Sequence, residues 1–371
     1  MTEWSGVNAV DVVDRRDRSA VGDVLSREVV LPWLVSRVLA IGALVLADSV
    51  SGHGLDFDAL VDWDGRWYLD IAQQGYGRGP IPAHWMVHDW SRWPFFPLLP
   101  SVTRLLSGSG IPAALTIVLI NNAAFLLALV GVHRLAGRRM NDEARQLAVW
   151  AMVLFPGSIT SVMGYSGGLF LAGAIWSFVL VEDESLAIAG IAAAVAAASR
   201  PNGIVVLVAL LPAVLANQAR PAQALAKVSL PSLAFLVGWC VWLWSVTGDA
   251  LVFFHAKAAW LEKSIVDFVR YPNGSSIVHV VLAAVAVAAL IHERTRLPTS
   301  WKVLALVSLA PSLVLGVIGL GRYAAECFPV AMAFGMLLAR SGRRAQQIYL
   351  MSSAVGLVVM GAFVRHARLV P

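Results

Sequence analysis

Apolar runs recur along the whole chain, near residues 31–50, 111–132, 146–162, 165–181, 186–199, 203–217, 229–247, 275–292, 302–320, 323–340 and 346–364. Most hold about 17–20 residues, enough for a helix rising about 1.5 Å per residue to cross a hydrocarbon core about 30 Å thick. The pattern predicts an all-α polytopic membrane protein with about eleven transmembrane helices. The apolar stretch around Arg200 is too long for one straight crossing and short for two, which predicts a tight hairpin or a broken helix there.

Residues 51–110 interrupt the pattern. In "DFDALVDWDGRWYLDIAQQGY", Leu60, Val61, Trp63, Trp67, Tyr68 and Ile71 recur at helical spacing with Asp62, Asp64 and Asp70 among them. That predicts an amphipathic helix lying at the membrane interface, where Trp and Tyr are favoured. Asp56, Asp58, Asp62 and Asp89 read as its water-facing side. In "WPFFPLLP", three prolines fix the backbone ahead of the second span.

No internal repeat or Gly/Ser linker divides the rest. The reading is one transmembrane domain over 29–371, behind a polar arm, 1–28, that carries Arg15, Arg16, Arg18 and Arg27. The arm and the first apolar run look like an uncleaved signal anchor with its amino terminus in the cytoplasm. Lys and Arg favour cytoplasmic loops. With that orientation the inner connections hold Arg134, Arg138, Arg139 and Arg145, then Arg220 and Lys227, then Arg294, Arg296 and Lys302, then Arg340, Arg343 and Arg344. "VEDES", 181–185, is the inner connection without them. The first loop, "FPGSITSVMGYSGG", "SRPNG", "HAKAAW" and "GRYAAE" then share the extracytoplasmic face.

Composition supports this picture. The chain is 58% hydrophobic and 14% charged, with a mean hydropathy of +0.72, against about 25% charged in a soluble domain. A net charge of +5 comes without a basic patch interleaved with aromatics, so it reads as topology and not as a nucleic-acid surface. Arginine outnumbers lysine 24 to 4, the usage of a GC-rich bacterial genome. Cys240 and Cys327 show neither metal-ligand spacing nor a disulfide framework, and read as packing residues.

The chemistry-bearing residues lie at the ends of the runs. Asp64, between Trp63 and Gly65 and before Arg66, sets a carboxylate beside aromatic surface, where it can serve as a general base. Arg200 ends an Ala-rich run, Pro201 breaks it and Asn202-Gly203 turns the chain. An arginine there is costly unless paired. It fits a lipid phosphate, to which a guanidinium donates paired hydrogen bonds, or an ion pair with Asp64 or Glu326. His255, Lys257, Trp260, Arg322, Tyr323 and Glu326 read as interfacial side chains or substrate contacts. Asn121 and Asn122, inside an apolar run, read as interhelical hydrogen-bond partners or ligand contacts.

Taken in order, "WDGRWYLDIAQQGY", "FFPLLP", "FPGSITSVMGYSGGLF", "SRPNGI", "HAKAAW" and "GRYAAECFPV" resemble the GPI mannosyltransferase 2 family, the PIG-V type of GT-C integral membrane glycosyltransferases, over roughly residues 30 to 340. The resemblance implies a GT-C-like fold and inverting transfer of mannose from a polyprenyl-phosphate donor to an acceptor hydroxyl outside the cytoplasm. It selects Asp64 as the catalytic acid of the first loop. The candidate substrate-binding set is Arg66, Tyr165, Ser166, Arg200, Asn202, Lys257, Trp260, Arg322 and Tyr323. The family's tyrosine-serine-glutamate pattern is met by Tyr165 and Ser166, but Gly167 follows. The expected acceptor is a bacterial glycolipid, envelope glycan or protein. A divalent metal stays open, because a single aspartate does not define a metal site. Two other readings stay open as well: a GT-C enzyme moving a different sugar or glycan, and a lipid or solute transporter.

Overall fold

The computed structural model describes residues 24–50, 57–77, 91–217, 220–257 and 265–365. Trp260, Asp56, Asp89 and most of the amino-terminal arm lie outside these residues. Among the described residues the fold is helical throughout, and helix occupies every one of the eleven apolar segments. Five helices are individually long and apolar enough to cross a membrane: Ser26–Ala47, Ala113–Gly137, Pro221–Thr247, Gly274–His292 and Arg343–Val364. A pair bent by 63°, Val317–Ala325 with Phe328–Ala339, makes a sixth when counted as one span. Gly167–Glu182, Leu186–Ser199 and Pro201–Ala216 are apolar but shorter.

Several predicted runs are broken where the sequence dictates it. The run at 146–162 starts earlier as a helix, Asp142–Leu154, capped by the Asn141 side chain accepting the Ala144 N–H at 2.9 Å. It stops because Pro156 has no N–H to continue the ladder and holds Phe155 extended. A short 3-10 turn, Pro156–Ser161, follows. Around Arg200 the broken-helix expectation holds: Arg200 is extended (φ −165°, ψ 158°) between Leu186–Ser199 and the turn Pro201–Ile204.

The first loop is also divided. A single amphipathic helix is replaced by a 3-10 turn, Phe57–Val61, and a helix, Asp64–Gln74, separated at Asp62–Trp63. Trp63 takes φ +58°, a left-handed value that is strained for a bulky residue. Its indole N–H donates to the Val364 carbonyl of the last helix at 3.4 Å, which ties the break to the bundle. The Asp64–Gln74 helix carries Asp64 in its first turn, where an acid complements the helix dipole. At its other end Arg104 donates to the Ala72 and Gln73 carbonyls (2.7 and 3.1 Å), and Arg92 to the Gly75 carbonyl (2.8 Å). These cations satisfy carbonyls that the helix end leaves without partners. Its buried side, including Tyr68 and Ile71, packs on Phe95, Leu99 and Ile117, so the proline-rich stretch seats this helix on the bundle.

The connections gather at two poles. At one, Glu28 bonds His133, Arg145 and Gln146, and Glu293 bonds Arg296 and Arg340. Here too the acids of "VEDES" explain themselves: Glu182 and Asp183 neutralise Arg134, Arg138 and Arg139 of the neighbouring turn. The other pole collects the first loop, the 156–168 segment, Arg200 and Leu320–Ala325.

Backbone approach at that second pole depends on glycine. A Cβ on Gly157 would fall on the Gly321 carbonyl, so the 156–161 turn can lie against Leu320–Ala325 only without a side chain. Gly157→Ala should therefore lower the thermal midpoint of the detergent-solubilised protein, at a cost of about 1–3 kcal/mol. Gly238→Ala, with nothing near its added Cβ, should leave it unchanged or slightly higher. Equal midpoints for both would show that the close approach is not made.

Candidate active site

The site grows from the Asp64–Gln74 helix, the 156–168 segment and the short Leu320–Ala325 helix. Asp64 projects from the first turn of its helix. Its Oδ2 accepts from Arg322 Nη1 at 2.8 Å, and its backbone N–H donates to the Tyr165 hydroxyl at 3.2 Å. The Arg322 guanidinium lies over both the Tyr165 and Tyr323 rings, 5.5 and 5.4 Å from their centroids. The Asp64 side chain keeps 28% of its surface open, against 13% for Arg322. The acid is thus the accessible member of the pair. The Arg322 Nε is buried with no hydrogen-bond partner.

One helical turn on, Glu326 stands at the bend that follows Leu320–Ala325. It takes Arg200 in a two-pronged pair, Nη1 to Oε2 and Nη2 to Oε1 (3.2 Å for the latter), with both side chains almost wholly buried. Arg200 also donates to Ser166 Oγ at 3.3 Å and lies over the Phe170 ring. Ser166 Oγ in turn shares a 2.8 Å hydrogen bond with the Tyr68 hydroxyl. Burial pushes the Tyr68 phenol up to about 12, so it stays neutral at physiological pH. The result is a polar seam of two adjoining groups, Asp64, Arg322 and Tyr165 beside Glu326, Arg200, Ser166 and Tyr68, joined through the chain at Tyr165–Ser166 and one helical turn apart at Asp64/Tyr68 and Arg322/Glu326.

The seam settles several sequence expectations. Asp64, Tyr165, Ser166, Arg200, Arg322 and Tyr323 come together. Arg200 is an ion-pair partner of Glu326, one of the alternatives its cost in an apolar run allowed. Arg66 turns away, 70% exposed and paired with Asp62. Asn202 is half-buried in the Pro201–Ile204 turn, and no bond ties it to the seam. Lys257 lies close enough to act electrostatically on Tyr323, while Trp260 is outside the described residues. One participant was not among the candidates: Tyr68 was counted only as apolar surface. Glu326, read as an interfacial or substrate-contact side chain and also as a possible partner for Arg200, takes the second role. A side chain at Gly167 would run into the Glu326 carboxylate. The Glu326 carboxylate thus occupies the space that a side chain at position 167 would need.

Among the described residues no three of His, Cys, Asp and Glu gather in one place. The acid at the rim, Asp64, faces Arg322 and, among the described residues, no second carboxylate.

No protein-family model matches the chain, and no curated protein matches it. Solved structures do. The Archaeoglobus fulgidus oligosaccharyltransferase in complex with Zn and sulfate is similar at TM-score 0.50 and 13% identity, over 91% of this chain and 52% of that one. Its apo form is similar at TM-score 0.50 and 12% identity, over 91% and 55%. The archaeal oligosaccharyltransferase AglB from the same organism, in complex with an inhibitory peptide and a dolichol-phosphate, gives 0.50 and 13%, over 91% and 55%. The fold is of the GT-C type. The chain spans about half the length of these proteins. The likeness shows the fold and does not show the GPI mannosyltransferase 2 family.

The buried pair gives a direct test. Arg200→Met or Glu326→Leu alone strands a buried charge and should cost about 3–5 kcal/mol of stability. The double variant Arg200→Met/Glu326→Leu should recover much of that loss in a denaturation series. Additive losses would mean that the two side chains are not coupled.

Proposed function

We propose that the chain is a membrane glycosyltransferase that moves a sugar from a polyprenyl-phosphate donor to an acceptor hydroxyl at the extracytoplasmic pole, with inversion. The observation that carries this reading is the Asp64–Arg322 pair at the open end of a buried polar seam, on a GT-C fold. In the proposed reaction the acceptor oxygen attacks the anomeric carbon while the bond from that carbon to the phosphate oxygen breaks on the opposite face. The proton passes to Asp64, and the electron pair leaves with the polyprenyl phosphate. Arg322, bonded to Asp64 through one nitrogen and with its Nε unpartnered, is suited to offset the growing charge. Lys257 adds a second cation on the Tyr323 side. Arg200 is committed to Glu326 and Ser166, so its role is to hold the seam and not to grip phosphate.

The order of motifs supports mannose as the sugar and a PIG-V-type enzyme, with a bacterial glycolipid, envelope glycan or protein as acceptor. The dolichol-phosphate and peptide held by the similar AglB structure support a lipid-phosphate donor. That likeness to oligosaccharyltransferases also favours a second reading, transfer of a preassembled glycan. Membranes containing the protein, given labelled polyprenyl-phosphate-mannose or a lipid-linked oligosaccharide together with a lipid extract, separate the two. Label moving from only the second donor would replace mannose transfer with glycan transfer.

Asp64→Asn is nearly isosteric but accepts no proton at neutral pH, so it should insert normally and still bind donor. Its turnover should fall by about 10² to 10⁴. Asp62→Asn, whose carboxylate pairs with the exposed Arg66 and not with Arg322, should retain turnover. The reverse pattern would name the wrong carboxylate, and two unaffected variants would remove the first loop from the reaction. For sidedness, a reporter fused after Ser109 should read extracytoplasmic and one after Arg139 cytoplasmic. The same side for both would refute the alternation of connections.

A further inference from the structure

We infer that Arg37, Asn121 and Asn122 are positioning residues that hold Tyr165 and Ser166 in place by binding the backbone of the 160–163 segment from two neighbouring helices. The catalytic part of this inference rests on the transferase reading above. The starting point is a physical difficulty. Between the Asp142–Leu154 helix and the Gly167–Glu182 helix the backbone is irregular, and residues 157–168 are all buried. Irregular backbone among apolar spans is tolerated only where its polar groups are satisfied from within the protein.

Four consecutive carbonyls are satisfied by side chains. Asn121 donates to the carbonyls of Thr160 (2.9 Å) and Met163 (2.7 Å). Arg37 donates to the Ser161 carbonyl at 3.3 Å and, through its other terminal nitrogen, to the Ser161 hydroxyl. Asn122 donates to the Val162 carbonyl at 3.1 Å and accepts from Arg37 at 3.1 Å. Asn121 then uses its remaining oxygen to accept the Gly168 N–H at 2.7 Å. One amide therefore grips both ends of the turn that carries Tyr165 and Ser166.

The position of Arg37 makes this more than incidental packing. It lies about 15 Å from either end of the Ser26–Ala47 span at 1.5 Å per residue, where a cation is costly. Among the described residues its guanidinium has no carboxylate partner. It lies over the rings of Trp33 and Phe125, 5.7 and 5.0 Å from their centroids, and only 7% of the residue is exposed. A charge kept there without a counter-ion does what a neutral side chain of that length cannot, reaching a carbonyl, a hydroxyl and an amide at once. Its target sits five residues before Ser166, whose hydroxyl joins Arg200 and Tyr68, and four before Tyr165, whose hydroxyl fixes Asp64.

The test pairs hydrogen–deuterium exchange with turnover, on the full chain in nanodiscs. Arg37→Met and Asn121→Leu should raise deuterium uptake in peptides covering 156–168 and leave the rest of the bundle protected. Both should lower kcat on the order of ten- to a hundredfold, the loss expected from a small misplacement of reacting groups, with the donor KM held within about twofold. Arg37→Lys, which keeps a cationic donor, should recover part of both effects. Uptake unchanged over 156–168, uptake raised along the whole chain, or a raised KM with kcat retained would each overturn the positioning role. A wild-type protein that transfers from no polyprenyl-phosphate donor would overturn the transferase reading and the catalytic part with it. The exchange measurement would then uphold or overturn the backbone clamp by itself.

Discussion

Two ion pairs, Asp64 with Arg322 and Arg200 with Glu326, are fixed by residues one helical turn apart on the same short piece of chain. Arg322 and Glu326 reach from there to the first loop on one side and to the break after Leu186–Ser199 on the other. Each charge lies in surroundings where it would be costly alone. The loop helix, the 156–168 segment and the broken spans are therefore held to one another by the need to keep these charges paired. Hydrophobic burial adds little to this, because lipid tails are as apolar as the spans themselves.

The same requirement shapes the rest of the molecule. At the pole away from the seam, the acids of Glu28, Glu182, Asp183 and Glu293 take up the arginines of neighbouring turns. Those pairs lock connection to connection, so the helices that carry the seam have fixed ends. Between the poles, Asn121, Asn122 and Arg37 bond the carbonyls of the irregular 160–163 backbone. The strained Trp63 belongs to this scheme: by turning the chain sharply it starts the loop helix at Asp64 and aims that acid at Arg322.

The seam divides labour in a way that suits group transfer. Its inner half, Arg200, Glu326, Ser166 and Tyr68, is buried and saturated with mutual bonds, which suits it to hold geometry. Its outer half, Asp64 and Arg322, is partly open and includes a donor without a partner. A rigid inner half keeps an acid and a cation at a set separation before any substrate arrives, and such preorganisation is a large part of what a protein can contribute to a displacement reaction.

By itself the sequence determined the class of molecule. Runs of apolar residues of membrane length must become helices, because no other open structure satisfies a backbone in hydrocarbon. Pro156, Pro201 and the glycines dictated where those helices break, and the placement of Lys and Arg foretold which connections share a pole. Asp64 stood out as a candidate because an acid among aromatics beside a glycine is locally unusual. Partners were not legible. That Arg200 would choose Glu326 over Asp64, that Arg66 would turn outward to Asp62, and that Glu326 would fill the space beside Gly167 all depend on residues over a hundred positions apart or on which face of a helix is covered. Arg37 carried a signal, a lone arginine within an apolar run, but its task is defined by carbonyls more than a hundred residues away. Periodicity encodes only what lies within a helical turn, whereas charge pairing and backbone satisfaction are settled by whatever the fold brings within about 3 Å, and here only the tertiary structure decided it.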